Sequence, residues 1–161
     1  MKFIATSVAA LALTAILSPA ALAETVIKVT LIDKMGSGST DTVSLGMGMD
    51  ADMSKAKMGI TANPKTVRRG PVTIKVTNLA SQMIHEVIVA RVPEGTAKLP
   101  YDQNAQRADE DSLQNFGSVN EIDPNKTASL TLELKPGKYM LYCNLPGHYM
   151  AGMWTLIDVT E

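Results

Sequence analysis

Cysteine and histidine are scarce in this chain of 161 residues, which has one cysteine and two histidines. A single cysteine leaves no partner for a disulfide within the chain, and structural zinc sites usually take more thiolates than this. The formal net charge is only −1, so neither a nucleic-acid surface nor a polybasic membrane patch is indicated. After the N-terminal segment, no second hydrophobic run is long enough to span a membrane.

The N-terminal segment has the features of a targeting signal. Lys2 precedes an apolar run, which is followed by Pro19 and then by Ala21-Leu22-Ala23. A charged start, an apolar centre and a small-residue cleavage site are typical of a secretory signal peptide, and the proline argues against a membrane span. We predict a signal peptide at 1–23, one mature domain at 24–161, and export, most simply to a bacterial periplasm. An unpaired cysteine is unusual in such an oxidising compartment, and a bond to a metal would protect it.

The only cysteine, one histidine and a methionine lie in one short stretch near the C-terminus. Cys143 is followed by His148 after four residues, and His148 by Met153 after four more. A thiolate, an imidazole and a thioether form a soft donor set, which selects copper over magnesium or calcium. Two histidines and a cysteine with a weak axial methionine are the ligands of a blue-copper electron-transfer centre. His85, the remaining histidine, would have to supply the fourth ligand.

The residues around this stretch predict a loop between two neighbouring strands. The segments 139–143 and 153–159 are rich in aromatic and β-branched residues, as strands are. Because such a loop starts and ends close in space, its first, middle and last side chains can converge on one point. Pro146-Gly147 predicts a turn that brings the imidazole inward, and Gly152 would let the backbone pass close to the metal.

With these residues the chain resembles the cupredoxins, the family of small blue copper proteins. The resemblance rests on Tyr142-Cys143, Pro146-Gly147-His148, Gly152-Met153, His85 and the preceding strand at 71–78. The spacing from histidine to methionine is more similar to the rusticyanin branch than to azurin. The resemblance implies one type 1 copper ion, with His148 as the port for electrons. It also implies an apolar docking patch around that histidine, formed by Leu145, Pro146, Tyr149, Met150 and Ala151.

Glu86 departs from the family pattern. Many blue copper proteins carry asparagine or serine after the first histidine, where the side chain ties the two ligand loops together by hydrogen bonds. A carboxylate at this position can still accept hydrogen bonds, but its negative charge near the metal would favour Cu(II).

The rest of the chain alternates between short strands and turns. Apolar residues recur at every second position in 24–33, 72–78 and 126–134, which is the period of a half-buried strand. A further strand is expected at 84–90, with His85 at its head. A further strand is expected in 57–67, with Pro64 at an edge or bulge. The polar run 103–116 predicts a short surface helix that ends at Gly117. Together these segments predict an all-β, Greek-key β-sandwich of seven to eight strands with one short helical insertion.

The leading hypothesis is a monomeric periplasmic electron carrier, which is not an enzyme. It would pass single electrons between redox proteins such as a c-type cytochrome and a terminal oxidase or reductase. The alternative is a copper-binding protein for tolerance, buffering or delivery, with Met47, Met49 and Met53 as a second, Cu(I) site. Those methionines would otherwise fill gaps against the sheet. An inert buried thiol, a zinc site and a Cys-His nucleophile also stay open, although the last has no evident third residue to orient it.

Overall fold

The computed structural model describes residues 25–33, 44–49 and 52–161. The predicted signal peptide at 1–23 lies outside the described residues. None of the helices in these ranges is long and apolar enough to cross a membrane. The strands are β1 Thr25–Asp33, β2 Met58–Asn63, β3 Thr66–Arg68, β4 Gly70–Asn78, β5 His85–Arg91, β6 Tyr101–Asp102, β7 Arg107–Ala108, β8 Gln114–Ile122, β9 Thr127–Leu134, β10 Gly137–Tyr142 and β11 Trp154–Thr160.

Nine of these strands form two sheets that pack face to face, and the predicted Greek-key β-sandwich is confirmed. One sheet has the order β2-β1-β4-β9 and the other β3-β11-β10-β5-β8, while β6 and β7 form a separate hairpin. Most neighbours are antiparallel, but β1 pairs with β4, and β11 with β3, in parallel. Strands from the two halves of the chain therefore lie side by side in both sheets.

The alternation seen in the sequence sets the inner faces of the sandwich. Val72, Ile74 and Val76 on β4 are fully buried, and Thr73 and Lys75 between them are not. The apolar residues of β1 and β9 pack against the same core. Fully burying a side chain of this size contributes about 1.5–3 kcal/mol. The inward positions predicted for these strands are confirmed.

A second apolar cluster covers the outer face of the five-stranded sheet. Ile88, Met140 and Tyr142 on that face pack under Leu99 and Leu113 from the segment between β5 and β8. This sheet is therefore buried on both faces near the end of β10. The residue after β10 is Cys143, so the covering segment also shields the start of the predicted metal loop.

The helix predicted at 103–116 is wrong. The segment forms the β6–β7 hairpin, then a single 3-10 turn at Glu110–Ser112, and β8 already begins at Gln114. Side chains of aspartate compete for the backbone here: Asp102 accepts from the N–H groups of Asn104 and Ala105. Asp109 accepts from that of Asp111. Such local bonds favour turns over helix.

A fully buried asparagine at the end of β4 holds the loop that leads to His85. The Nδ2 of Asn78 donates to the carbonyls of Met83 and Ile122 at 2.9 and 2.8 Å. Its Oδ1 accepts from the N–H of Ala80 at 2.9 Å. These bonds cross from β4 to the end of β8, so they fix the point at which β5 begins.

We expect Asn78→Ala to lower the free energy of unfolding by roughly 2–4 kcal/mol, because two buried backbone groups and one part-buried backbone group lose their partner. Denaturant unfolding measures the change. Asn115→Ala, at an exposed position of β8, is the matched control and should have little effect. Equal losses in the two variants would contradict the role given to Asn78.

Candidate metal centre

The loop between β10 and β11 is closed by backbone hydrogen bonds at its two ends. The N–H of Cys143 donates to the carbonyl of Met153 at 3.0 Å, and the N–H of Met153 donates to the carbonyl of His148 at 3.1 Å. The turn at Gly147 has φ +81°, and the N–H of His148 donates to the carbonyl of Leu145 at 3.0 Å. The backbone of this loop thus brings its entry and exit together, with the carbonyl of His148 bonded to the exit.

Gly152 has a different role from the one expected. Its φ is +102°, and a Cβ there would lie 3.0 Å from the Cβ of Ala56 and 3.3 Å from the carbonyl oxygen of Met58. The glycine therefore makes room for the start of β2 and the residues before it.

The structure brings His85, Cys143 and His148 together. His85 is the first residue of β5, which pairs with β10, and Cys143 directly follows β10. The Nδ1 atoms of the two histidines are 3.2 Å apart, and the Sγ of Cys143 lies 3.3 Å from the Nδ1 of His148. One donor atom from each residue lies within 4.8 Å of the others, and all three residues are buried.

Met153, the fourth predicted ligand, is also fully buried, in the main core beside the cysteine. Its backbone is bonded to both Cys143 and His148. Its axial role stays a prediction.

Burial keeps all three donors neutral when no metal is bound. It raises the pKa of the Cys143 thiol to about 11. Burial and, to a lesser extent, the neighbouring His85 ring together lower the pKa of His148 to about 4. The pKa of His85 is lowered by burial as well. A bound cation would instead lower the pKa of Cys143, because it stabilises the thiolate.

The donor set fits a soft metal ion. Bonds to nitrogen and sulfur of about 2.0–2.3 Å need donors roughly 3–4 Å apart, as they are here. Two imidazoles and one thiolate in a dry, preformed cluster suit copper, for which a trigonal His₂Cys set is characteristic. Among the described residues, no other group of three such side chains lies this close together.

Asn144, which sequence reasoning missed, ties the cysteine to two other parts of the fold. Its backbone N–H donates to the Glu86 carboxylate at 2.9 Å. Its side chain donates to the carbonyl of Ala108 and to Glu110, and accepts from the N–H of Ala108. The only signal in the sequence was a polar residue directly after Cys143. Glu86 thus does bridge the two ligand loops, and burial raises the pKa of its carboxyl.

The segment 44–49 lies across the loop and buries part of it. The N–H of Leu45 donates to the carbonyl of Met150 at 2.8 Å, and the Nε1 of Trp154 donates to the carbonyl of Leu45 at 2.7 Å. The hydroxyl of Tyr149 accepts from the N–H of Met47 at 2.8 Å. Tyr149 is only 1% exposed, so its predicted place in the docking patch is wrong.

The surface near His148 is nevertheless apolar. His148 itself is 8% exposed. In the loop before His85, Leu79 and Ile84 are 57% and 45% exposed, and sequence reasoning had not identified either. We give the name apolar rim to six partly or fully exposed apolar residues of the two ligand loops: Leu79, Ile84, Leu145, Pro146, Met150 and Ala151.

The metal-free protein should lose stability as the pH falls from about 6.5 towards 4. Over this range the unfolded chain binds a proton at His148, whose ordinary pKa is 6.5, whereas the folded chain, with a pKa of about 4, excludes it. The stability that neutral His148 contributes is therefore fully present above pH 6.5 and is lost as the pH falls towards 4. Urea unfolding at about pH 7.5 and about pH 5 measures it. His148→Gln should show a smaller loss, and an unchanged loss in that variant would refute this origin.

Comparison with known proteins agrees with this site. The family model for copper-binding proteins of the plastocyanin/azurin family matches residues 47–160. No curated sequence gives a significant match to the chain. Rusticyanin from Thiobacillus ferrooxidans is a structural neighbour at 17% identity and a TM-score of 0.53, over 87% of this chain and 79% of that one.

Auracyanin A, a "blue" copper protein from Chloroflexus aurantiacus, is another neighbour at 19% identity and a TM-score of 0.50, over 85% of this chain and 99% of that one. At these identities the two structures support the fold, while the family match covers more than two thirds of the sequence. With the fold, the His-Cys-His cluster and this match together, the chain belongs to the plastocyanin/azurin family of copper-binding proteins, the cupredoxins, and carries a single type 1 copper site.

Proposed function

We propose that this protein is an exported, periplasmic carrier of single electrons, in which His85, Cys143, His148 and Met153 would hold one copper ion. The observation that carries the proposal is the buried convergence of two Nδ1 atoms and one Sγ. A carrier needs ligands that stay in place in both oxidation states. Here they are held by paired strands and by a loop that is closed on itself.

Bound copper supplies the one-electron Cu(I)/Cu(II) couple, and the chain's own residues set the conditions for it. Cys143 binds as a thiolate, and its backbone N–H holds the loop closed against Met153. Burial lowers the pKa of both histidines, which favours the neutral rings that bind a metal. The cysteine, the methionine and His85 are fully buried, so little bulk solvent has to reorganise during transfer.

The partners of this carrier are other redox proteins, such as a c-type cytochrome and a terminal oxidase or reductase. Four residues of the apolar rim lie in the loop that carries His148, the one metal-site histidine with some exposure, and none of the rim side chains is charged. Small interfaces of this kind suit brief encounters between redox proteins. In this proposal the protein acts as a monomer and catalyses no reaction of a small molecule.

Copper buffering or delivery is the second candidate. Met53, in the 3-10 turn Met53–Lys55, is 43% exposed, which suits a residue that binds cuprous copper from solution. Met47, however, is buried in the second apolar cluster, where it packs against the sheet. Two of the three proposed methionine ligands thus lie in different environments, and this favours the carrier.

The first test is the absorption spectrum after Cu(II) is added to the protein, with Cys143→Ser as the comparison. We expect an intense visible band from thiolate-to-copper charge transfer in the parent and none in the variant. One tightly bound copper that cycles reversibly supports the carrier. Additional Cu(I) that is lost on Met53→Leu would support buffering instead, and a folded parent without the band would refute the carrier.

The second test is electron self-exchange between reduced and oxidised copies, measured by NMR line broadening. Ala151→Lys places a charge in the apolar rim and should slow self-exchange at least tenfold, because two like charges must then meet. Thr66→Lys, at the first residue of β3, is the control for net charge. Equal slowing in both variants would show that the rim is not the contact surface.

A further inference from the structure

Three buried side-chain atoms have no hydrogen-bond partner among the described residues: the Nε2 of His85, the Oδ2 of Asp33 and the hydroxyl oxygen of Tyr142. Tyr142 belongs to the second apolar cluster, whereas the charge of Asp33 acts on His85. Leaving such an atom unpaired costs about 1–3 kcal/mol. A buried donor and a buried acceptor that are unsatisfied in the same part of a protein therefore point to a link between them.

The topology places Asp33 beside the loop that leads to His85. Asp33 is the last residue of β1, and two residues earlier Leu31 pairs with Asn78 on β4. The carbonyl of Leu31 also accepts from the N–H of Leu79, the next residue of that loop, at 2.9 Å. In agreement, the negative charge of Asp33 opposes the burial effect on the pKa of both His85 and His148.

The two unpaired atoms are chemically complementary. The Nδ1 of His85 faces the Nδ1 of His148 and the cysteine, so it is the nitrogen whose lone pair must be free for a metal. In a neutral imidazole the proton then lies on Nε2, which becomes a donor. A carboxylate oxygen can only accept. Histidines that bind metals usually donate their second N–H to a carboxylate, a carbonyl or water.

We propose that Asp33 is a positioning residue for the copper site, whose carboxylate accepts the hydrogen bond of His85 Nε2–H through one bridging water. The two atoms do not bond to each other directly, and one water that accepts from Nε2–H and donates to Oδ2 would satisfy both. The link fixes the tautomer and the orientation of the ring. It also places a negative charge behind the ligand, which stabilises Cu(II) more than Cu(I). This inference rests on the proposed function, since it needs His85 to bind copper.

The main experiment compares the reduction potentials of Asp33→Asn, Asp33→Ala and the parent in copper-loaded protein. Asp33→Asn keeps an acceptor and removes the charge, so it should raise the ratio of Cu(I) to Cu(II) affinity about tenfold, which is about 59 mV for one electron. Asp33→Ala should raise the potential at least as much. Asp158→Asn removes a carboxylate that is paired with Lys138 at the other end of β11, and it should leave the potential unchanged.

A second readout follows the hydrogen bond itself. With only two histidines in the chain, selective ¹⁵N-histidine labelling gives at most two ring N–H signals. In the reduced and in the metal-free protein, we expect one slowly exchanging Nε2–H signal from the fully buried His85. Its exchange should become at least tenfold faster in Asp33→Ala and stay unchanged in Asp158→Asn.

The outcomes separate this inference from the proposed function. A parent without the charge-transfer band would refute the copper carrier, whereas the Nε2–H signal of the metal-free protein would still test the link to Asp33. A parent with the band, in which both Asp33 variants match Asp158→Asn in potential and exchange, would overturn the inference. If Asp33→Ala does not fold, the potential of Asp33→Asn decides.

Discussion

The metal centre depends on the pairing of β5 with β10. This pairing places His85, at the start of one strand, beside Cys143, at the end of the other, although 57 residues separate them. The loop after β10 is then closed by a hydrogen bond between Cys143 and Met153. This closure fixes the position of His148. Because the surrounding core is closely packed, the donors converge without a metal to draw them together. A site of this kind is organised by the fold, which suits a centre that must change charge with little movement.

Two buried asparagines connect this pairing to the rest of the molecule. Asn78 holds the loop before His85 against the end of β8. Asn144, the residue after Cys143, bonds to Glu86 and to the β6–β7 hairpin. Each satisfies several backbone groups that would otherwise be buried without partners, and such networks specify one arrangement more strictly than apolar packing does. The segment that lies over the outer sheet face therefore also supports the ligand loop.

Much of the fold could be predicted because it follows from local patterns. The buried faces of β1, β4 and β9 were evident from alternation alone. The predicted helix at 103–116 failed because its polar residues carried no apolar stripe, and aspartate side chains form turns there instead. The docking surface was partly wrong for a similar reason. The burial of Tyr149 depends on segment 44–49, which is about a hundred residues away in the chain.

The sequence by itself determined which donors exist and how the ligand loop is spaced, since both are properties of neighbouring residues. With one cysteine and two histidines, it left few ways to build a copper site. Only the tertiary structure decided what surrounds that site: the bond from Asn144 to Glu86, the cover over Tyr149, and the place of Asp33 near His85. These contacts join residues far apart in the chain. They depend on which strands pair and how the sheets pack, and the short-range periodicity of the sequence does not predict either.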